Sequence, residues 1–149
     1  MNKLVNSDEK TAATAGCLFV KNAKKSFITK LQEWDYTLGI FGVKLVQGNY
    51  DSALVAQGAF SAYKTKILKE IGGWKNCIGE DIVLTWQLLS KGYETNFAKN
   101  AIAFTEVPEK LKDLGKQRKR WARGMIEAFK NVKVFSSKKL SAKSRFWCA

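Results

Sequence analysis

Glu80 and Asp81 stand side by side at the head of "GEDIVLTWQLLSKGY" (79–93), two carboxylates followed at once by an apolar run. The chain has no histidine. That removes the usual proton acceptor near neutral pH, the Ser/His/Asp and Cys/His arrangements, and the commonest transition-metal ligand. Acid–base chemistry in this protein therefore rests on carboxylates. Two readings of the pair are open. At a helix start Asp81 can accept free backbone N–H groups and gain from the macrodipole, effects worth roughly 0.5–2 kcal/mol. A catalytic reading instead needs the carboxylate in a cleft, within reach of a hydroxyl proton. The two are compatible, because a helix start would hold the group rigidly and keep it ionised, as a base must be.

A second set lies in "QRKRWARG" (117–124), where Gln117, Arg120, Trp121 and Gly124 fall three, four and seven residues apart and so share a helix face. A guanidinium can grip phosphate with two hydrogen bonds, an amide adds a neutral donor, and an indole offers a flat surface for a sugar or base. The plainer alternative is an amphipathic helix that buries Trp121 and leaves its arginines in water. In "AQGAFSAYK" (56–64), Gly58 and Ala59 sit among small residues. They suit either a ligand approaching the backbone or a tight bend in a packed strand.

The elements that must position these groups follow from periodicity. "TAATAGCLFV" (11–20) reads as a buried strand. From Ser26 to about Gln47, Phe27, Ile28, Leu31, Trp34, Leu38, Phe41 and Leu45 recur at helical spacing. They predict an amphipathic helix interrupted at Gly39 and Gly42, with this face buried. An extended segment over 53–64 should turn near Gly58, and a short helix over 65–71 should stop at Gly72 and Gly73. Ile82, Trp86, Leu89 and Tyr93, widened by Leu84 and Leu88, predict a mostly buried helix from Asp81 that ends at Gly92. A strand is expected near 101–107. Pro108 should then enter the first turn of a helix running to about Lys130, with Leu111, Leu114, Trp121, Met125 and Phe129 on its apolar side.

With 149 residues, 46% of them hydrophobic, the chain can build one core, and it is read as one domain over 1–149. Cys17, Cys77 and Cys148 have no Cys-x-x-Cys spacing and suit ordinary thiols in a reducing compartment. The net charge of +13 is uneven: residues 108–149 carry 13 basic and 3 acidic side chains, against 13 and 10 before them. Such a basic end favours an anionic partner, whether nucleic acid, an anionic membrane surface or a phosphate-bearing substrate. A nucleic-acid-binding module would lose affinity steeply with salt, and a helix over 109–130 could lie on a membrane surface. Met1–Lys10 is too polar for a secretory leader, and no apolar stretch approaches the ~20 residues that cross a bilayer.

Taken in order, "QGAFSAYK", "GGW", "GEDIVLTWQLLSKGY" and "AIAFTEVPEKLKDLGKQRKRWARG" resemble the second half of the catalytic domain of a family 2 inverting glycosyltransferase. The likeness is to the processive membrane type that includes poly-N-acetylglucosamine, cellulose, chitin and hyaluronan synthases, the first above all. It runs from about Ala12 to Val132. It implies an α/β fold, a partial GT-A-type (Rossmann-like) domain whose N-terminal nucleotide-binding half is absent, with a core over 11–132 and a basic tail over 133–149. By the same resemblance Asp81 is the general base with Glu80 alongside. Gln117 and Arg120 face the donor diphosphate, Trp121 stacks on the acceptor sugar, and Gly58 to Ala62, Ala59 included, line the acceptor site.

The implied partners are a nucleotide-sugar donor, a UDP-sugar by first choice, and a growing glycan acceptor. No nucleic acid is expected. Flanking segments would attach the protein to the cytoplasmic face of the cell membrane. The family also uses a divalent metal, Mg or Mn, held by an Asp-x-Asp pair. The five aspartates here, at 8, 35, 51, 81 and 113, contain no such pair. The resemblance therefore leads to the expectation of a piece of a longer domain, with little or no transferase activity by itself.

Overall fold

The small and β-branched residues of "TAATAGCLFV" form the central strand β1 (Thr11–Val20), buried over most of its length. The computed structural model describes residues 2–132; the tail over 133–149, with Cys148, lies outside the described residues. On one side of β1 runs the antiparallel β2 (Ser61–Tyr63), and on the other the parallel β3 (Glu94–Thr105). β3 begins well before the predicted position 101. It pairs in two runs, Thr95 to Phe97 opposite Ala13 to Ala15 and Ile102 to Thr105 opposite Cys17 to Val20, and bulges between them. Gly16 sits at that irregularity. A Cβ there would lie 2.2 Å from the Phe60 ring, so only glycine lets the 57–60 turn lie against β1.

After a single turn α1 (Asn2–Val5), the next helix, α2 (Phe27–Trp34), starts at Ser26, whose hydroxyl accepts from Thr29 N while the Thr29 hydroxyl accepts from Ser26 N. It does not break at the two glycines as predicted. It widens into a π-helical stretch (Asp35–Gly42) and continues as α3 (Val43–Gly48). The predicted buried face is also corrected: Phe27, Leu31, Trp34, Leu38 and Leu45 are exposed, while Thr29, Gln32, Tyr36, Lys44 and Gln47 face the sheet. The reason is that the inward polar groups find partners. The Thr29 hydroxyl donates to Ala23 O, the Gln32 amide to Pro108 O, and Gln47 Oε1 accepts from Leu54 N. Polar groups so paired cost little to bury, and of these three side chains only Gln32 keeps a buried atom, Oε1, without a partner among the described residues.

The helices after β2 follow prediction more closely. α4 (Thr65–Glu70) ends at Gly72 and Gly73, both with positive φ, and α5 (Glu80–Ser90) ends before Gly92, also at positive φ. α5 is the core helix. Leu88 joins Ala13, Ala15, Cys17, Ile67 and Phe97 beneath the sheet, while Val83, Trp86 and Leu89 meet Ala128 and Val132 on the opposite side. The last helix, α6 (Leu111–Asn131), starts three residues after Pro108 rather than at it. The Pro108 and Glu109 carbonyls instead receive the Gln32 amide and the Ser26 hydroxyl, which ties 108–109 to α2. The inner face of α6 is also corrected, to Leu114, Gln117, Trp121, Gly124 and Ala128, with Leu111 and Met125 outside; Phe129, half exposed, sets its ring edge-on against Trp86 of α5, as expected of the apolar side. Small residues set that choice: Gly124 rests on Gly79 so closely that a Cβ on either would fall within 3 Å of the other's Cα.

Candidate active site

The N-terminus of α5 is shaped by Gly79, whose left-handed backbone (φ 78°, ψ 35°) supplies no capping side chain. Asp81 lies within the first turn. Its Oδ1 takes the N–H of Ile82 at 2.9 Å, and its Oδ2 reaches across to the N–H of Gly58 at 3.0 Å. The carboxylate thus does more than serve the helix end. It is aimed at a second segment that the sequence had singled out for other reasons.

That segment is laced to α5 along its length. The Trp86 indole donates to Leu54 O, Ala56 N donates to the Thr85 hydroxyl, and that hydroxyl donates to Asp81 O. The Tyr63 hydroxyl holds Ala56 O at 2.7 Å. Gly58 and Ala59 end up exposed on the turn, and a side chain at Gly58 would start 3.7 Å from both Asp81 Oδ2 and Glu80 Oε1. Gly58, Ala59, Glu80 and Asp81 are therefore brought together, their spacing fixed by hydrogen bonds between the side chains of Asp81, Thr85 and Trp86 and the backbone of 54–58.

Beneath this turn lies a group that sequence reading missed. Lys44 is buried, and its ammonium donates to Gln57 Oε1, while the Gln57 amide donates to Gly16 O at 2.9 Å. Burial lowers the Lys44 pKa to about 8, against the pull of the Asp81 carboxylate and then of Cys17, which favour the charged form. Burial likewise pushes up the Tyr63 hydroxyl, with the negative charges of Asp81 and Glu80 adding to the shift, so Tyr63 stays neutral. The Cys17 thiol is raised by burial despite Lys44. The helical period from Tyr36 through Ile40 to Lys44 was the available signal for Lys44, hidden because lysine is read by default as a surface residue.

Gly58, Ser61, Tyr63, Thr65, Trp74 and Glu80 line an open cleft of about 560 Å³. Trp74, from the "GGW" stretch, stands on its rim with its ring edge-on to Tyr63, centroids 5.5 Å apart at 77°. A second groove of similar volume, among Phe19, Trp34, Leu38 and Phe104, is apolar and distant in the chain from the carboxylates.

In α6 the predicted face divides. Gln117, Trp121 and Gly124 turn inward, whereas Arg120 is exposed. Gln117 Oε1 is buried with no hydrogen-bond partner among the described residues. Trp121 packs on Tyr36 at a centroid distance of 6.5 Å and on the cluster of Val20, Ala23 and Val107. Its ring is covered by the guanidinium of Arg118, 4.5 Å from the centroid, which also pairs with Asp35. Arg118 is a neighbour that sequence reading overlooked, although its spacing of three from Trp121 was visible. The contact of Gly124 with Gly79 joins this helix to the head of α5.

No group of three or more His, Cys, Asp or Glu among the described residues could hold a metal ion. Both oxygens of Asp81 already accept backbone N–H groups. The residues described do not fit a divalent-metal centre.

A family model described as "Glycosyl transferase family group 2" matches residues 2–148. The chain is 34% identical over 116 residues to the poly-beta-1,6-N-acetyl-D-glucosamine synthase of Staphylococcus epidermidis, a match covering 77% of this chain and 28% of that protein. It is 33% identical over 118 residues to the synthase of the same name from Staphylococcus aureus (strain COL), covering 78% and 28%. The matched region thus spans less than a third of the length of these relatives.

Proposed function

The chain belongs to glycosyl transferase family group 2 as part of a GT-A-type domain, and from that premise we propose that it forms the acceptor side of a polysaccharide synthase, with Asp81 as general base. The reaction is transfer of a sugar from a nucleotide-sugar, UDP-N-acetylglucosamine by analogy with the named relatives, to the end of a growing glycan. The acceptor hydroxyl attacks the anomeric carbon, its proton passes to Asp81, and the bond to the diphosphate breaks with inversion. The observation that carries this reading is the Gly58 N–H held on Asp81 Oδ2 at 3.0 Å beside the cleft. It supports a carboxylate fixed in place, and each carboxylate oxygen keeps a further lone pair for the incoming hydroxyl.

Glu80, exposed on the same cleft, hydrogen-bonds acceptor hydroxyls alongside the base. Gln117, with its unpartnered Oε1, and the exposed Arg120 face the donor. Stacking of a sugar on Trp121 requires the Arg118 side chain to leave its ring. The nucleotide, and the metal that serves its diphosphate in the family, are assigned to the remainder of the relatives' length. Membrane attachment at a cytoplasmic face belongs to the same assignment, since none of the described helices is long and apolar enough to cross a bilayer.

The test is a chimaera in which this chain replaces the matching region of the S. epidermidis synthase. Incorporation of N-acetylglucosamine is expected, and Asp81→Asn should lower kcat by about 10²–10⁴-fold while leaving the donor KM nearly unchanged. Full turnover by the Asp81→Asn chimaera would remove the base assignment.

A further inference from the structure

Binding a pyranose ring calls for two things at once: a flat apolar surface for the ring's C–H face and polar groups around its hydroxylated rim. Of the four described tryptophans, Trp86 is buried and Trp121 carries a guanidinium on its ring. Trp34 is open, but it stands in an apolar groove whose carboxylate, Glu33, is paired with Lys30. Trp74 alone among them combines an open ring, 51% exposed, with a cleft that also holds the Glu80 carboxylate and the Ser61 and Thr65 hydroxyls.

The ring is also held ready. Gly72 and Gly73 turn the chain with φ of 87° and 71°, a conformation that side-chain-bearing residues rarely adopt, and so present Trp74 at the rim. Tyr63 braces it edge-on and is itself tied by its hydroxyl to Ala56 O. Ala56 lies two residues before Gly58, so the chain that supports the platform also carries the N–H that fixes Asp81. A rigid aromatic of this kind binds with little loss of side-chain freedom.

We propose that Trp74 is the stacking platform for a sugar ring of the glycan acceptor, placing that ring between Trp74 and Glu80 with its reacting end toward Asp81. This rests on the acceptor-side reading given above. It assigns the aromatic contact to the "GGW" stretch rather than to α6, and it makes the ligand a β-linked N-acetylhexosamine oligomer rather than a nucleotide.

The experiment is ligand-detected NMR titration of the 149-residue chain with a β-1,6-linked N-acetylglucosamine pentamer, using the unaltered protein, Trp74→Ala, Trp74→Phe and Trp34→Ala. Circular dichroism confirms that each variant is folded. Trp74→Ala should weaken binding at least tenfold, Trp74→Phe should stay within about threefold, and Trp34→Ala should match the parent. Equal binding by the parent and Trp74→Ala, or no binding by the parent, overturns the proposal. In the chimaera, Trp74→Ala should raise the acceptor KM with kcat retained. An unchanged acceptor KM beside a crippled Asp81→Asn enzyme would sink the Trp74 platform and leave the proposed function standing, whereas full turnover by Asp81→Asn would sink the function itself.

Discussion

In α5, Val83, Leu84, Leu88 and Leu89 are sealed between the sheet and α6, whereas in the helix over 27–48 Phe27, Leu31, Trp34 and Leu38 stand in solvent and Thr29, Gln32 and Gln47 face inward. Both stretches are periodic in sequence. Periodicity shows that a helix has two unlike faces; which one meets the body is decided by what waits there. Around α5 the neighbours are alanines, Cys17 and Phe97, an apolar surface that rewards aliphatic side chains. Against the long helix lie backbone carbonyls of Ala23 and Pro108 and the N–H of Leu54, which reward hydroxyls and amides. The rigid, apolar-packed helix is also the one whose first turn carries Asp81.

The contrast can be broken most sharply by truncation. Leu88→Ala, within the sealed cluster, should cost about 2–5 kcal/mol in urea unfolding, because the cavity has little room to collapse. A loss below about 1 kcal/mol would mean that α5 is not the core helix.

Next comes the pH response of Lys44, the one charged residue among those that the long helix buries. Its folded pKa of about 8 lies below the ordinary 10.5, so the penalty for burying the charge is complete below pH 8 and is relieved as pH rises towards 10.5. Between pH 7.5 and 10 the parent should therefore gain roughly 2 kcal/mol relative to Lys44→Met, in which that relief is absent. A constant difference between the two proteins across this range would contradict the burial.

Gly124→Ala should cost about 1–3 kcal/mol by pushing α6 off Gly79, measured as a fall in thermal midpoint. The smallest effect belongs to the long helix: Leu38→Ser, at a side chain 72% exposed, should change stability by no more than about 0.5 kcal/mol. A large loss there would show that the exposed face is packed in solution.

Much of the fold was legible where one local rule dominates. β1 was readable from a run of small and β-branched residues, and α4 and α5 from apolar spacing closed by glycines that need positive φ. The faces of the long helix and of α6 were not, because burial there depends on partners far away in sequence, such as the Pro108 carbonyl for Gln32 and Gly79 for Gly124. Pro108 misled for the same reason: its carbonyl is engaged by α2 rather than by a new helix.

The candidate site was legible as residue types, Gly58 with Glu80 and Asp81, but not as an arrangement. The bond from Gly58 N to Asp81 Oδ2 spans 23 residues, and nothing in the local pattern announces it. Lys44 escaped notice, and Trp74 was marked only as part of "GGW" with no role of its own, because a lone lysine or tryptophan gains meaning only from the groups around it.

The most direct measurement compares single-turnover transfer rates of the chimaera carrying Asp81→Asn with the one carrying Glu80→Gln. Asp81 as the base predicts a loss of about 10²–10⁴-fold for Asp81→Asn and less than about tenfold for Glu80→Gln. The reverse order, with Glu80→Gln the deeper loss, would contradict the assignment of the base to the carboxylate held by Gly58.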